Sequence, residues 1–118
     1  MQPVGLSRVR NIEILMRRTN AINPKKMVLA AARASELMKT LGHRDRLMIL
    51  CHLVLGEKSV GELAQLLDIP QSPLSQHLAR MRLEKLVKTR HEAQSIYYSI
   101  ASAEAQRMVM ILHELYCS

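Results

Sequence analysis

The amino-acid sequence predicts a mainly α-helical fold that carries one small β-hairpin. Apolar residues recur at helical spacing in five successive segments between Lys25 and Cys117. Between Ser95 and Ile100, in contrast, apolar and polar side chains alternate with the period of two that is typical of a strand. The chain has 118 residues and is 48% hydrophobic, which favours a single domain with at most a tail.

The first 24 residues differ in composition from the rest of the chain. They hold four arginines but only one acidic residue, Glu13. We therefore predict that residues 1–24 form a basic N-terminal arm, mobile or part-helical, and that residues 25–118 form the folded domain.

Two helices are predicted at the start of this domain. The first covers residues 25–41 and ends at Gly42, and the second covers residues 44–55 and ends at Gly56. The first helix is rich in alanine, so another helix could approach its surface closely. The expected buried stripe of the second helix consists of Leu47, Cys51 and Val54.

The next two helices are joined by a short turn. Ser59 and Glu62 have the spacing of a capping box, so a third helix should follow Ser59 and stop before Asp68. A fourth helix is predicted from Ser72, with Pro73 in the first turn, where its missing N–H costs no hydrogen bond. The inward positions of this fourth helix are Leu74, Leu78 and Met81.

A hairpin and a last helix complete the domain. Two strands, over residues 87–90 and 95–100, flank a tip that runs from His91 to Gln94. The last helix is predicted to start near Ser102. Its expected stripe consists of Ala105, Met108, Leu112 and either Leu115 or Tyr116. Two helices joined by a short turn and followed by a basic hairpin form a winged helix-turn-helix.

The charge balance favours duplex DNA as the partner. The chain has 17 Lys and Arg against 10 Asp and Glu, a formal net charge of +7, which is typical of proteins that bind a polyanion. Only 3% of the residues are aromatic, with no Phe and no Trp, whereas readers of single strands stack bases on aromatic rings. No apolar run is long enough to span a membrane and no secretory signal is recognisable, so a cytoplasmic protein is expected.

The candidate DNA-binding residues lie on the fourth helix and on the hairpin. Short polar side chains near the start of the helix suit base edges, and basic side chains further along suit phosphates. The expected base readers are Ser72, Ser75, Gln76 and His77, and the expected contacts from the rest of this surface are Arg80, Lys88, Arg90 and Gln94.

Four segments resemble the ArsR-type winged-helix repressors: residues 34–50, 59–63, 71–78 and 90–98. The run Ser75-Gln76-His77-Leu78 is the most specific of these signals. The resemblance covers nearly everything from Lys25 to Cys117. It implies a homodimer that represses transcription at an inverted-repeat operator and releases DNA when it senses an inducer. The first and last helices form the dimer interface in this family.

The metal sites of the family are not recognisable in the sequence. One such site needs a Cys-x-Cys pair at the start of the third helix, where this chain has Ser59-Val60-Gly61. Another needs ligands at both ends of the last helix, where Glu104, Gln106 and the pair His113-Glu114 lack the spacing. The five histidines are scattered along the chain. We therefore expect no metal site and no cofactor.

Two cysteines, Cys51 and Cys117, are too few and too far apart in sequence for a structural zinc site. From the residues alone, Cys51 could equally be a buried small hydrophobic residue. The pair is similar, however, to that of the dithiol branch of the family, which includes hemolysin-activator and biofilm- or sulfide-responsive regulators. This resemblance implies that the two thiols sense reactive sulfur or another oxidant, and that their oxidation or persulfidation lowers operator affinity.

Two other functions remain open at this point. In the first, the chain is a metal- or small-ligand-responsive repressor of the same fold, and its cysteines are incidental. In the second, it is a small thiol enzyme with Cys51 as the nucleophile. The enzyme is disfavoured because the sequence has no Gly-rich loop, no CxxC pair and no compact Cys/His/Asp cluster.

Overall fold

The computed structural model describes residues 23–117 of the chain, so nearly all of the predicted basic arm (residues 1–24) lies outside the described part. Within that part the fold is mainly α-helical with a small antiparallel sheet, as the sequence predicts. The helices are α1 (Pro24–Leu41), α2 (Arg44–Val54), α3 (Val60–Leu67), α4 (Gln71–Leu83) and α5 (Ala103–Cys117). The strands are β1 (Lys58–Ser59), β2 (Val87–Glu92) and β3 (Ser95–Ile100). No described helix is long and apolar enough to cross a bilayer.

The chain divides into two compact units within α1, after Glu36. In the first unit, the described residues form the beginning of α1, and its large apolar side chains Met27, Val28 and Leu29 are all exposed. The second unit starts at Leu37 and holds all the other elements.

The core of the second unit is built around α4. Its inward residues Leu74, Leu78 and Met81 are fully buried, which confirms the predicted stripe. They share the core with Leu63 of α3 and with residues of α2, β2 and α5. In α3 the inward residue of the last turn is the half-buried Leu67, whereas Leu66 is exposed.

The buried stripe of α2 is rotated relative to the prediction. Ile49, Leu50 and Leu53 are the buried residues, and the predicted set of Leu47, Cys51 and Val54 is only partly buried. The reason is that α2 contacts α3, α4, α5 and β3, so most of its circumference is covered rather than one narrow stripe.

Helix α5 is buried only near its beginning. Ala105 and Val109 are in the core, whereas the expected stripe residues Leu115 and Tyr116 are exposed. The apolar periodicity continues along α5 beyond the residues that the core of this unit can cover.

The sheet has three strands in the order β1-β3-β2, one more than predicted. Strand β1 escapes sequence analysis because it has only two residues, which pair with Tyr97 and Tyr98. The hairpin register runs from Val87 opposite Ile100 to Glu92 opposite Ser95, so β2 ends two residues later than expected. The turn is tight, and Ala93 adopts a φ of 53° within it.

The helix-turn-helix is defined by local capping. Ser59 and Glu62 form the predicted capping box at the start of α3, and Asp68 ends α3 in the left-handed conformation. Helix α4 begins one residue before the predicted Ser72, because the carbonyl of Pro70 already accepts a hydrogen bond from the Leu74 N–H (3.2 Å). Ser72 therefore does not cap α4 and remains exposed.

Candidate DNA interface and thiol pair

The exposed face of α4 carries the predicted base-reading residues. Because Leu74 and Leu78 point into the core, Ser72, Ser75 and Gln76 lie on the solvent side of the helix, and all three are exposed. His77 is half-buried at the edge of this face. The polar face of α4 thus has the short donors and acceptors that base edges in a major groove can bind.

Four residues, which we call the anchor network, join the end of α1 to α2 and α4: Thr40, Arg46, Arg80 and Glu84. The fully buried Thr40 hydroxyl donates a hydrogen bond to the Glu84 carboxylate, which also accepts one from Arg80 Nε (2.8 Å). The buried guanidinium of Arg46 donates to the backbone carbonyls of Thr40 (3.0 Å) and Lys39 (3.2 Å).

The anchor network also shifts the pKa of two of its members, Glu84 and Arg46. Burial tends to raise the pKa of Glu84, but hydrogen bonds from Thr40 and Arg80 outweigh it and hold that pKa below its ordinary value. Burial, followed by the charge of Arg80, lowers the pKa of Arg46. Arg80 is therefore ion-paired with Glu84, although 48% of its side-chain surface is exposed.

The hairpin presents one free cation and one engaged cation. Lys88 is exposed and makes no ion pair with any residue between 23 and 117. Arg90 instead donates to Glu57 (Nη2 to Oε1, 2.5 Å) and to Glu92 (Nη1 to Oε2, 2.6 Å), and its guanidinium lies 4.8 Å from the ring centre of Tyr97. The hydrogen bond to Glu57, then that to Glu92, raises the pKa of Arg90.

This arrangement gives Arg90 a structural partner on the loop before β1. A phosphate contact of Arg90, which the sequence predicts, would have to compete with two carboxylates. Gln94 is exposed in the turn at the tip of the hairpin, where it is free to approach a groove.

A cluster that sequence analysis missed lies beside α4. The rings of His43 and His77 are 4.6 Å apart between centroids and inclined by 55°. Ligand atoms of His43, Asp45 and His77 all lie within 4.8 Å of one another. The only hint in the sequence is the His43-x-Asp45 spacing at a helix start, because His77 comes from a different element.

The environment of His77 favours the neutral form of its imidazole by lowering its pKa. Burial is the main cause that lowers its pKa, and the charges of His43, Arg46 and Arg80 act in the same direction. Asp45 opposes them. A neutral imidazole offers one donor and one acceptor to a neighbouring group.

The two free thiols lie on α2 and α5, which pack against each other. Cys51 is half-buried and Cys117 is exposed. Burial raises the pKa of the Cys51 thiol, and the charge of Cys117 raises it further. Cys51 also borders an open groove of about 380 Å³ whose lining is completed by His52, Val54, Leu55, Val109, Met110 and His113.

The remaining candidate metal ligands stay apart. Glu104, Gln106, His113 and Glu114 are all exposed residues of α5. Between residues 23 and 117 they join no group of three ligand atoms, and Glu104 accepts a hydrogen bond from the Ser102 hydroxyl (3.2 Å).

Comparison with known proteins identifies the family to which this fold belongs. The family model described as "Bacterial regulatory protein, arsR family" matches residues 43–89, from the start of α2 into β2. The chain is 46% identical over 96 residues to the transcriptional activator HlyU of Vibrio cholerae, which covers 81% of this chain and 89% of the relative. It is 44% identical over 88 residues to the biofilm growth-associated repressor of Agrobacterium fabrum, with 75% of each chain covered.

The structural comparison agrees with the sequence comparison. A solved structure of reduced HlyU from Vibrio cholerae N16961 superposes with a TM-score of 0.76 at 46% identity, and it covers 80% of this chain and 99% of that one. The helix-turn-helix, the hairpin and the relatives agree, and the chain therefore belongs to the ArsR family of bacterial regulatory proteins, as a DNA-binding transcriptional regulator and not an enzyme.

Proposed function

We propose that this chain is a homodimeric repressor whose operator affinity falls when Cys51 and Cys117 are oxidised or persulfidated. The observation that carries the proposal is that the two free thiols lie on α2 and α5, which pack against each other although they are far apart in sequence. The likeness to a structure of HlyU in its reduced form supports a role for redox state. One relative is an activator and another a repressor, and repression is the direction we propose here.

The difference in exposure between the two thiols supports an order for their reaction. Cys117 is exposed, so its thiolate attacks the outer sulfur of a hydropersulfide RSSH, forms a Cys117 persulfide and expels RSH. The thiolate of Cys51 then attacks the inner sulfur of this persulfide and expels H₂S. In total, two thiols lose two electrons and two protons, RSSH is reduced, and one disulfide forms together with RSH and H₂S.

A disulfide between Cys51 and Cys117 would lower the affinity for DNA through α5. The exposed apolar residues Met110, Ile111 and Leu115 of α5 form a face suited to binding a second copy of this chain. The exposed residues Met27 and Leu29 of α1 form a second apolar surface of the same kind. A disulfide needs Cα atoms about 4.4–6.8 Å apart, so its formation constrains α5 against α2. In a dimer, this changes the spacing of the two α4 helices, which must meet grooves roughly 34–36 Å apart.

The test combines DNA binding with mass spectrometry of the intact protein. The reduced protein, its Cys51→Ser variant and its Cys117→Ser variant are treated with an organic hydropersulfide, with and without a chelator. The duplex is one selected by the wild-type protein from a random library. We expect the wild type to lose the mass of two hydrogen atoms and to bind the duplex roughly 5–150-fold more weakly, the range typical of coupled sites.

Both single variants should keep the affinity of the reduced protein and lose the response. An internal disulfide accompanied by unchanged DNA affinity would refute the switch. A response that follows the chelator instead of the persulfide would favour the metal- or ligand-responsive regulator with incidental cysteines.

A further inference from the structure

We propose that His43, Asp45 and His77 form a binding site for a divalent transition-metal ion of the zinc class, and that the bound ion removes His77 from the DNA-binding face of α4. Two imidazoles and one carboxylate from the start of α2 and from α4 converge there, with all ligand atoms within 4.8 Å of one another. The metal site is independent of the thiol pair, while its effect on DNA rests on the proposed role of α4.

The donor set fits this class of ion. Imidazole nitrogen suits Zn²⁺, Ni²⁺ and Cu²⁺, and two histidines with one carboxylate make a three-ligand site with an open fourth position. A tetrahedral zinc ion with bonds of about 2.1 Å holds its ligand atoms roughly 3.4 Å apart. The ligand atoms therefore have to approach one another by at most about 1.4 Å, and the exposed His43 side chain can move toward half-buried His77 once its capping bond is given up.

The position of His43 before α2 leaves one of its ring nitrogens unprotonated and able to bind a metal ion. Its Nδ1 accepts a hydrogen bond of 3.2 Å from the Asp45 N–H, so this nitrogen carries a lone pair rather than a proton. A metal ion at Nδ1 would replace one weak capping bond. The same backbone geometry brings the Asp45 carboxylate to the two rings, because His43 is the N-cap residue and Asp45 lies in the first turn.

The neighbouring cations do not block the site. The guanidinium of Arg46 is turned to the carbonyls of Thr40 and Lys39, and Arg80 is paired with Glu84. Asp45 supplies the negative charge that compensates an incoming ion.

The consequence for DNA follows from the location of His77. Its neighbours on α4, Ser75 and Gln76, face solvent in the part of the helix that a major groove would accept. An imidazole held by a metal ion has no free nitrogen lone pair for a base edge. Zinc should therefore lower the affinity for a selected duplex roughly 5–150-fold, the equivalent of one good base contact.

The experiment uses the full chain with Cys51→Ser and Cys117→Ser, which removes thiolate binding. Zn²⁺ binding is measured by calorimetry, and Co²⁺ spectra of the chain with native cysteines report whether sulfur is a ligand. The variant His43→Asn removes the imidazole but keeps a side chain that caps helices well. His91→Asn, which changes an exposed histidine of the hairpin, is the matched control.

We expect one zinc ion per chain, a Co²⁺ spectrum without a sulfur charge-transfer band, and a loss of affinity of at least roughly 10-fold in His43→Asn but none in His91→Asn. The His43→Asn variant should also keep its metal-free DNA affinity and lose the zinc effect. Equal zinc affinity in both variants would overturn the site. Specific zinc binding without any change in DNA affinity would overturn its link to α4, whatever the outcome of the persulfide test.

Discussion

Replacing Thr40 by Val tests whether the anchor network holds α4 in place. The Thr40 hydroxyl is fully buried and donates to Glu84, whose carboxylate would otherwise keep only the bond from Arg80. Valine has nearly the same shape, so packing is retained while one hydrogen bond to a charged group is lost. Such bonds contribute about 1.5–3 kcal/mol, and we expect the free energy of unfolding to fall by that amount at pH 7.

The pH dependence of this loss identifies its cause. The pKa of Glu84 is lowered in the folded protein, so its ionised form contributes stability that is present above the unfolded pKa of about 4.3. That stability disappears as the pH falls through the lower folded value. The difference between wild type and Thr40→Val should therefore shrink in acid.

Urea unfolding at a fixed protein concentration, at pH 7 and at a series of pH values below 5, measures both effects. Thr89→Val is the control, because the half-buried Thr89 hydroxyl makes no hydrogen bond to a side chain in the described part of the chain, and a change of at most about 0.5 kcal/mol is expected. A Thr40→Val variant as stable as wild type at pH 7, or a difference independent of pH, would refute the role assigned to the network.

Three further predictions concern α4 and the hairpin. Gln76→Ala should lower affinity for a selected duplex by about 1–3 kcal/mol and leave binding to random DNA nearly unchanged, and equal losses on both would mean that Gln76 reads no base. Lys88→Ala should flatten the salt dependence of DNA binding by a slope of roughly one per phosphate contact, whereas Arg90→Ala should change it less, because Arg90 is paired with Glu57. The reverse order in a salt titration would contradict this. Leu78→Ala should cost about 2–5 kcal/mol of unfolding free energy, since Leu78 is fully buried, and a smaller loss in urea would show that the site collapses around the cavity.

The sequence by itself determined the elements and the functional class. Helix ends, the capping box at Ser59 and Glu62, and the inward face of α4 depend on neighbours within one or two turns, so the local pattern contains the necessary information. The alternation in β3 and the excess of basic residues likewise predict the hairpin and a DNA partner without knowledge of the packing.

Only the tertiary structure decided which distant residues meet. Strand β1 is too short for a periodic signal and exists because β3 pairs with it. Arg90 is basic in any sequence pattern, yet its bonds to Glu57 depend on the sheet order, because they reach from β2 across β3 to the loop before β1. The approach of His43 to His77 depends on packing between helices separated in sequence, as does the packing of α2 against α5, which carry the two thiols. Such contacts leave no trace in local periodicity, because each partner satisfies the requirements of its own element equally well without the other.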